Sequence, residues 1–109
     1  MQAAEYEIRG DILLIRLKAD LDHHTSVRVR ESADALLSRS GVKNILFDFS
    51  AVDFMDSSGI AVVLQTAKEC RNLGCALSVC GVGKQAMRVL SAAGVPKLVP
   101  VTERGRTSV

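Results

Sequence analysis

The chain has no tryptophan, and only three phenylalanines and one tyrosine occur among its 109 residues. A hydrophobic core built from this sequence must therefore be mainly aliphatic. The chain also lacks an apolar run long enough to span a membrane, and its N-terminus has no basic segment followed by an apolar one. We therefore expect a cytoplasmic protein that does not associate with a membrane.

The chain has little excess of charge of either sign, with 14 lysines and arginines against 12 acidic residues. A net charge of +2 gives no electrostatic footprint for a nucleic acid, so we expect no direct nucleic-acid binding. The composition is that of a globular protein, and the length suffices for one domain but not for two. We predict a single domain over residues 1–109, with an ordered core over about 5–101 and a flexible polar tail over 102–109.

Cysteine is scarce and odd in number, with Cys70, Cys75 and Cys80 as its members. An odd number does not suit the disulfide framework of a secreted protein. The five-residue spacing also differs from zinc motifs, which pair ligands two to four residues apart. We therefore predict free, buried thiols that pack as small hydrophobic groups, and we expect no metal and no cofactor.

Hydrophobic periodicity predicts strands and helices in alternation. Two apolar runs separated by Gly10-Asp11 predict an antiparallel hairpin, and the strand–helix–strand order that follows predicts βαβ units with right-handed crossovers. Strands are predicted around residues 6–9, 12–17, 44–49, 75–80 and 98–101. A first helix is predicted to follow the segment 21–25 and to end at Ser40-Gly41, and two more helices from about 56 to 74 and 84 to 93. Pro100 cannot donate a hydrogen bond, so the last strand must lie at an edge. The sequence thus predicts an α/β fold, with a mixed four- to five-stranded sheet and helices packed against it.

Asp56-Ser57-Ser58-Gly59 lies between a buried strand and the helix that follows it. The motif places two hydroxyls at a helix N-terminus, where backbone N–H groups lack partners and the helix dipole is positive. A phosphate group could be held there. The same residue types are also typical of ordinary helix capping, so the spacing alone leaves both interpretations open.

Leu21-Asp22-His23-His24-Thr25 precedes the first helix. Adjacent histidines cannot easily ligate one ion together, and no cysteine or glutamate cluster is nearby, so exposed imidazoles at a helix entry are the simpler interpretation. A catalytic triad of a motif serine, a histidine and an aspartate is compatible with the sequence order, but a Gly-x-Ser-x-Gly nucleophile elbow is absent. Gly81-Val82-Gly83 lacks the rest of a nucleotide-binding motif and predicts only a turn. We therefore do not expect an enzyme.

Phe54–Gly59 and Leu21–Thr25 together resemble the STAS domain family, and within it the sporulation-type anti-sigma-factor antagonists. The likeness extends over nearly the whole chain, up to Gly94-Val95. It implies a single STAS-like domain that binds an anti-sigma factor, itself a serine kinase of the GHKL type, and so releases a sigma factor. It also implies that phosphorylation of Ser58 abolishes binding and that a serine phosphatase restores it.

The resemblance further implies a partner-binding surface formed by the two motifs. Its expected members are Asp22, His23, His24, Thr25, Asp56, Ser57, Ser58 and Gly59. We expect Ser57 and Asp56 to brace or cap the turn, and Gly59 to leave the serine accessible and to let a partner backbone approach. Other members of the family are scaffolds of stress-signalling assemblies or subunits of lipid-transport complexes, which is the alternative function. The Leu21–Thr25 segment and the length of a lone domain favour the antagonist.

Overall fold

The structure is a computed structural model that describes residues 3–105. Over this range strands and helices alternate after an initial hairpin, and a short 3₁₀ turn precedes the last strand. The strands are β1 (Ala4–Arg9), β2 (Ile12–Leu17), β3 (Asn44–Asp48), β4 (Ala76–Val82) and β5 (Val101–Glu103). The helices are α1 (His23–Ser40), α2 (Ser57–Leu73) and α3 (Lys84–Ala92).

The five strands form one mixed sheet in the order β1-β2-β3-β4-β5. β1 pairs antiparallel with β2, and every other neighbouring pair is parallel. The predicted fold class is confirmed, including the hairpin across Gly10-Asp11 and the edge position of the last strand. Because the crossovers between adjacent parallel strands are right-handed in natural proteins, they bring the helices to the same face of the sheet.

Alternation along the strands shows which face is covered. In β2, Leu13, Ile15 and Leu17 are buried, whereas Leu14 and Arg16 between them are half-buried. The same pattern places Ile45 and Phe47 of β3 in the core. The core is aliphatic apart from Phe47 and Phe49, whose rings pack edge to face at 6.1 Å.

The C-terminal part of the sheet differs from the sequence prediction. β4 continues through Gly81 to Val82, where the sequence predicts a turn, and the positive φ of Gly81 (70°) accompanies an irregular register with β5. The last strand begins at Val101 and not at Leu98, because a 3₁₀ turn over Val95–Lys97 occupies the preceding segment.

The prediction of a flexible tail over 102–109 is therefore wrong for its first residues. Thr102 and Glu103 belong to β5, and the Arg104 backbone N–H donates to the Val82 carbonyl at 2.8 Å. The remainder of the predicted tail, from residue 106 onward, lies outside the described residues.

The three cysteines are free thiols in this fold. Cys70 is buried, whereas Cys75 and Cys80 are half-buried, so the prediction of buried thiols holds fully for Cys70 alone. Burial, with a contribution from the neighbouring Cys75 thiol, raises the pKa of Cys70 to about 12. No helix in the described part of the chain is long and apolar enough to cross a membrane.

Candidate functional site

The helices α1 and α2 begin side by side at one edge of the sheet, because each follows the carboxyl end of one of two adjacent parallel strands. The segments before them form an isolated parallel bridge between Leu21 and Met55. In this bridge the Leu21 N–H donates to the Phe54 carbonyl at 3.2 Å, and the Asp56 N–H donates to the Leu21 carbonyl at 3.1 Å. The segments Leu21–Thr25 and Phe54–Gly59 therefore lie against each other.

Asp22 caps α1 through a reciprocal capping box. The Thr25 backbone N–H donates to Asp22 Oδ1 at 2.9 Å, and the Asp22 N–H donates to Thr25 Oγ1 at 3.0 Å. The Thr25 backbone N–H is the largest cause of a lowered Asp22 pKa, so this exposed carboxylate is ionised at neutral pH. His23 and His24 follow on the first turn of α1, and both are exposed.

Asp56 caps α2 without a reciprocal bond, with its Oδ1 accepting from the Ser58 backbone N–H at 2.8 Å. Ser57, the first residue of the helix, is exposed, whereas Ser58 is half-buried. The expected capping role of Asp56 is therefore present in the structure, and the two serines of the motif have different surroundings.

Gly59 does not lie on the exposed surface, contrary to the sequence expectation. It is buried, and a Cβ at this position would lie 2.5 Å from Met55 Cε and 3.3 Å from Leu21 Cβ. The missing side chain therefore makes room for internal packing between the two bridged segments, and no space for a partner backbone is created.

A groove of about 180 Å³ separates the first turns of α1 and α2, and Ser58 lines it. The other lining residues are His23, Ser26, Val27, Arg30, Ala61 and Val62. No hydrogen bond joins Ser58 to a histidine within residues 3–105, so a catalytic triad is not assembled there. In the same range no group of three or more histidine, cysteine or acidic residues is placed to hold a metal ion.

The loop from Phe49 to Asp56 is held by side chains that sequence reasoning missed. Asp20 Oδ1 accepts from the backbone N–H groups of Asp53 and Phe54, at 2.8 and 3.0 Å. The Gln85 amide, from the first turn of α3, pairs with both the N–H and the carbonyl of Met55, each at 2.9 Å. These contacts fix the backbone immediately before the α2 cap.

Arg104 holds the first part of the same loop. Its guanidinium donates to the carbonyls of Phe49 and Val52, at 3.1 and 2.6 Å, and lies 3.3 Å from an Asp53 carboxylate oxygen. Each of these partners is more than 50 residues away in sequence. No local pattern in the sequence signals such a contact.

We call the exposed part of this edge the cap surface, formed by Asp22, His23, His24, Phe54, Ser57 and Ser58. Phe54 is 52% exposed although it is a large apolar residue, and its backbone is fixed by Asp20 and Leu21. The cap surface therefore combines a carboxylate, two imidazoles, an aromatic ring and two hydroxyls on a braced backbone.

Residues 3–106 match the sequence model of the STAS domain family. The chain belongs to the STAS domain family. This STAS domain is 35% identical over 97 residues to the Anti-sigma F factor antagonist of Paenibacillus polymyxa. The alignment covers 89% of this chain and 83% of the relative.

Two solved structures have the same STAS fold. The unphosphorylated form of the anti-sigma factor antagonist SpoIIAA aligns over 97% of this chain and 90% of its own, with 23% identity and a TM-score of 0.82. SpoIIAA in its phosphorylated form, described as a Bacillus cell fate determinant, aligns over 97% and 93%, with 23% identity and a TM-score of 0.74. The fold of this STAS domain therefore matches that of structures solved in the unphosphorylated and in the phosphorylated form.

Proposed function

We propose that this protein is an anti-sigma-factor antagonist, which docks through the cap surface on an anti-sigma factor and so releases a sigma factor. The proposal is supported by membership of the STAS family and by the 35% identical relative named Anti-sigma F factor antagonist. The observation that carries it is the position of Ser58, half-exposed on a braced edge where two helices begin.

The proposed partner is both an anti-sigma factor and a serine kinase of the GHKL type, which supplies the bound ATP. The Ser58 hydroxyl attacks the γ-phosphorus of that ATP, the bond to ADP breaks, and the hydroxyl proton leaves to a base of the kinase or to water. A serine phosphatase then hydrolyses the ester and restores the hydroxyl. In this scheme the antagonist is a substrate and a ligand and does no catalysis itself, and the cycle takes place in the cytoplasm.

The phosphate would block docking through charge and bulk. It adds roughly −1.5 to −2 charges at neutral pH. The positive end of the α2 dipole stabilises such a charge at the surface by only about 0.3–1 kcal/mol. The nearby carboxylates of Asp53 and Asp56 repel the phosphate and so destabilise it. Because these local effects are small and of opposite sign, we expect little change in the fold. Removing the dianion from water at a protein interface is far more costly, so we expect phosphorylation to prevent formation of the complex.

The test is to incubate the purified chain with a candidate anti-sigma factor and ATP and to map the modification by mass spectrometry. We expect one phosphate on Ser58 in the wild-type chain and in Ser57→Ala, and none in Ser58→Ala. We also expect the phosphorylated chain to lose affinity for the partner. A phosphate on another residue, or unchanged affinity after modification of Ser58, would show that the proposal is wrong.

A further inference from the structure

The groove between α1 and α2 contains polar groups that docking at the cap surface does not use. Ser26 is only 3% exposed, and its Oγ has no hydrogen-bond partner within the described residues. A buried hydroxyl without a partner costs free energy, and this one lines the groove beside Ser58, so it is free to donate to a group bound there. The groove is open to solvent at Ser58, which is half-exposed.

Arg30 brings a positive charge to the same groove. His23, Ser26, Val27 and Arg30 are spaced i, i+3, i+4 and i+7 along α1 and so share one face of the helix. Arg30 and Ser58 therefore line the same groove from opposite helices.

The guanidinium of Arg30 is available for a ligand. It forms no ion pair within residues 3–105. Its charge acts on Asp34, one turn further along α1, where burial and then Glu69 raise the carboxyl pKa and Arg30 opposes them. Asp34 lies outside the lining of the groove, and no ion pair joins it to Arg30 within the described residues.

We propose that this groove is the binding site for the phosphate of phosphorylated Ser58, with Arg30 as its counter-ion and the Ser26 hydroxyl as a hydrogen-bond donor. The proposal rests on Ser58 being the modified residue, as proposed above. A planar guanidinium suits phosphate oxygens, and a buried donor suits an acceptor with three of them. The phosphate then folds back between the helices, and the phosphorylated chain is stabilised as a distinct form without a change of fold.

The test begins with phosphoserine inserted at position 58 during translation, so that no kinase is needed. The second ionisation of the phosphate is then followed by ³¹P NMR. The charged and titratable groups around Ser58 are Arg30 and His23, which line the groove from α1, Asp56, which accepts from the Ser58 N–H, and Asp22 at the α1 cap. Because a nearby cation favours the dianion, we expect the phosphate pKa in the wild-type chain to lie about half a pH unit or more below that in Arg30→Gln. The titration is repeated in a His23→Gln background, which removes the imidazole from the lining of the groove, so that the effect of Arg30 is measured without it.

The matched control is Arg28→Gln. Arg28 is an arginine of the same helix that lines a different groove, beside Tyr6. We expect Arg28→Gln to leave the phosphate pKa unchanged, Arg30→Lys to restore part of the lowering, and Ser26→Ala to raise the pKa by less than Arg30→Gln does. Equal phosphate pKa values in the wild-type chain and Arg30→Gln, or an equal effect of Arg28→Gln, would overturn the proposal. Because the phosphate is installed without a kinase, that result is separate from a failure of Ser58 to be phosphorylated by any partner.

Discussion

Ser57 and Ser58 are adjacent in sequence, but they occupy different positions on α2. Successive residues of a helix are turned by about 100°, so the two hydroxyls cannot face the same way. Ser57 is exposed at the start of the helix, whereas Ser58 is half-buried and lines the groove against α1. A negative charge at these two positions should therefore have different consequences.

We predict that Ser58→Glu lowers the affinity for the anti-sigma factor at least about tenfold, because a charge would be buried in the interface. Ser57→Glu, at the exposed neighbouring position, should lower it by less, and Ser58→Ala should leave it close to that of the wild-type chain. Isothermal titration calorimetry with the purified partner measures all three. Equal losses for both glutamate variants would contradict the assignment of Ser58 as the sensitive position.

Gly59 provides a second test at a single residue, because two opposing effects meet there. Alanine favours a helix by about 1 kcal/mol over glycine, but overpacking a core typically costs about 1–3 kcal/mol. The added Cβ would lie 2.5 Å from Met55 Cε and 3.3 Å from Leu21, and both of these side chains are fully buried. We therefore predict that Gly59→Ala lowers the free energy of unfolding by about 1 kcal/mol, measured by urea denaturation.

The cause of that loss can be checked with a second substitution. Met55→Leu removes the terminal methyl group that the new Cβ would meet, and it nearly conserves the side-chain volume. In a double-mutant cycle the cost of Gly59→Ala should shrink in the Met55→Leu background. A stabilising Gly59→Ala would mean that helix propensity outweighs the packing at this site.

At the scale of elements, the loop between β3 and α2 depends on contacts from three other parts of the chain. Asp20 comes from the segment before α1, Gln85 comes from α3, and Arg104 directly follows β5. The presence of β5 where the sequence predicts a flexible tail therefore matters for the site, because β5 positions Arg104.

We predict that Arg104→Gln lowers the free energy of unfolding by about 1–2 kcal/mol. The value is near the lower end for hydrogen bonds from a charged group, because the Arg104 side chain is 39% exposed and therefore partly solvated. Urea denaturation measures the loss, and hydrogen exchange should be faster at the Val52 amide, which donates to Phe49 within the braced loop. Arg88→Gln, at an exposed arginine of α3, is the control and should change neither quantity. Unchanged exchange at Val52 in Arg104→Gln would show that the loop does not need this brace.

At the scale of the whole molecule, three carboxylates near the surface set the response to acid. Lys18 lowers the pKa of Glu5, Arg9 lowers that of Glu7, and the Thr25 N–H lowers that of Asp22. A carboxyl whose pKa is lower in the folded state stabilises the fold above its unfolded pKa and loses that contribution as the pH falls through the folded value. Asp34 acts in the opposite direction, because burial raises its pKa and protonation relieves the cost of the buried charge.

We therefore predict little change in stability between pH 7 and pH 5 and a progressive decline below about pH 4.5, where the three carboxylates become protonated. Urea midpoints at pH 7, 5, 4 and 3 measure the effect. Lys18→Gln removes the partner of Glu5 and should reduce the decline. A midpoint that rises between pH 5 and pH 3 would mean that Asp34 outweighs the three surface carboxylates.

The sequence predicts those parts of the whole molecule that depend on local periodicity. Leu13, Ile15 and Leu17 alternate with more exposed residues, so the bounds of β2 can be predicted from the sequence. Leu98-Val99-Pro100-Val101 has the composition of a strand, but the Val99 N–H bonds back to Val95 at 2.9 Å, which closes a turn. Pro100 then contributes only its carbonyl, to the Val79 N–H at 2.9 Å, and the strand starts one residue later.

Some residues of the candidate site can likewise be predicted from the sequence, and others cannot. Asp56 and Ser58 can be found from sequence because they form one short motif with local cap geometry. Ser26 and Arg30 cannot, because their position beside Ser58 arises only when α1 packs against α2. Long-range packing, which no single stretch of sequence encodes, decides that part of the site.

The braces on the loop before α2 bear on how quickly the protein can respond. A backbone already fixed by Asp20, Gln85 and Arg104 does not have to become ordered when another protein arrives, so association loses little conformational entropy there. Complex formation should then be limited by diffusion and by the mutual orientation of the two surfaces, without a slow ordering step. The duration of each on–off cycle would be set by the enzymes that add and remove one phosphate, since nothing at this edge has to refold in between.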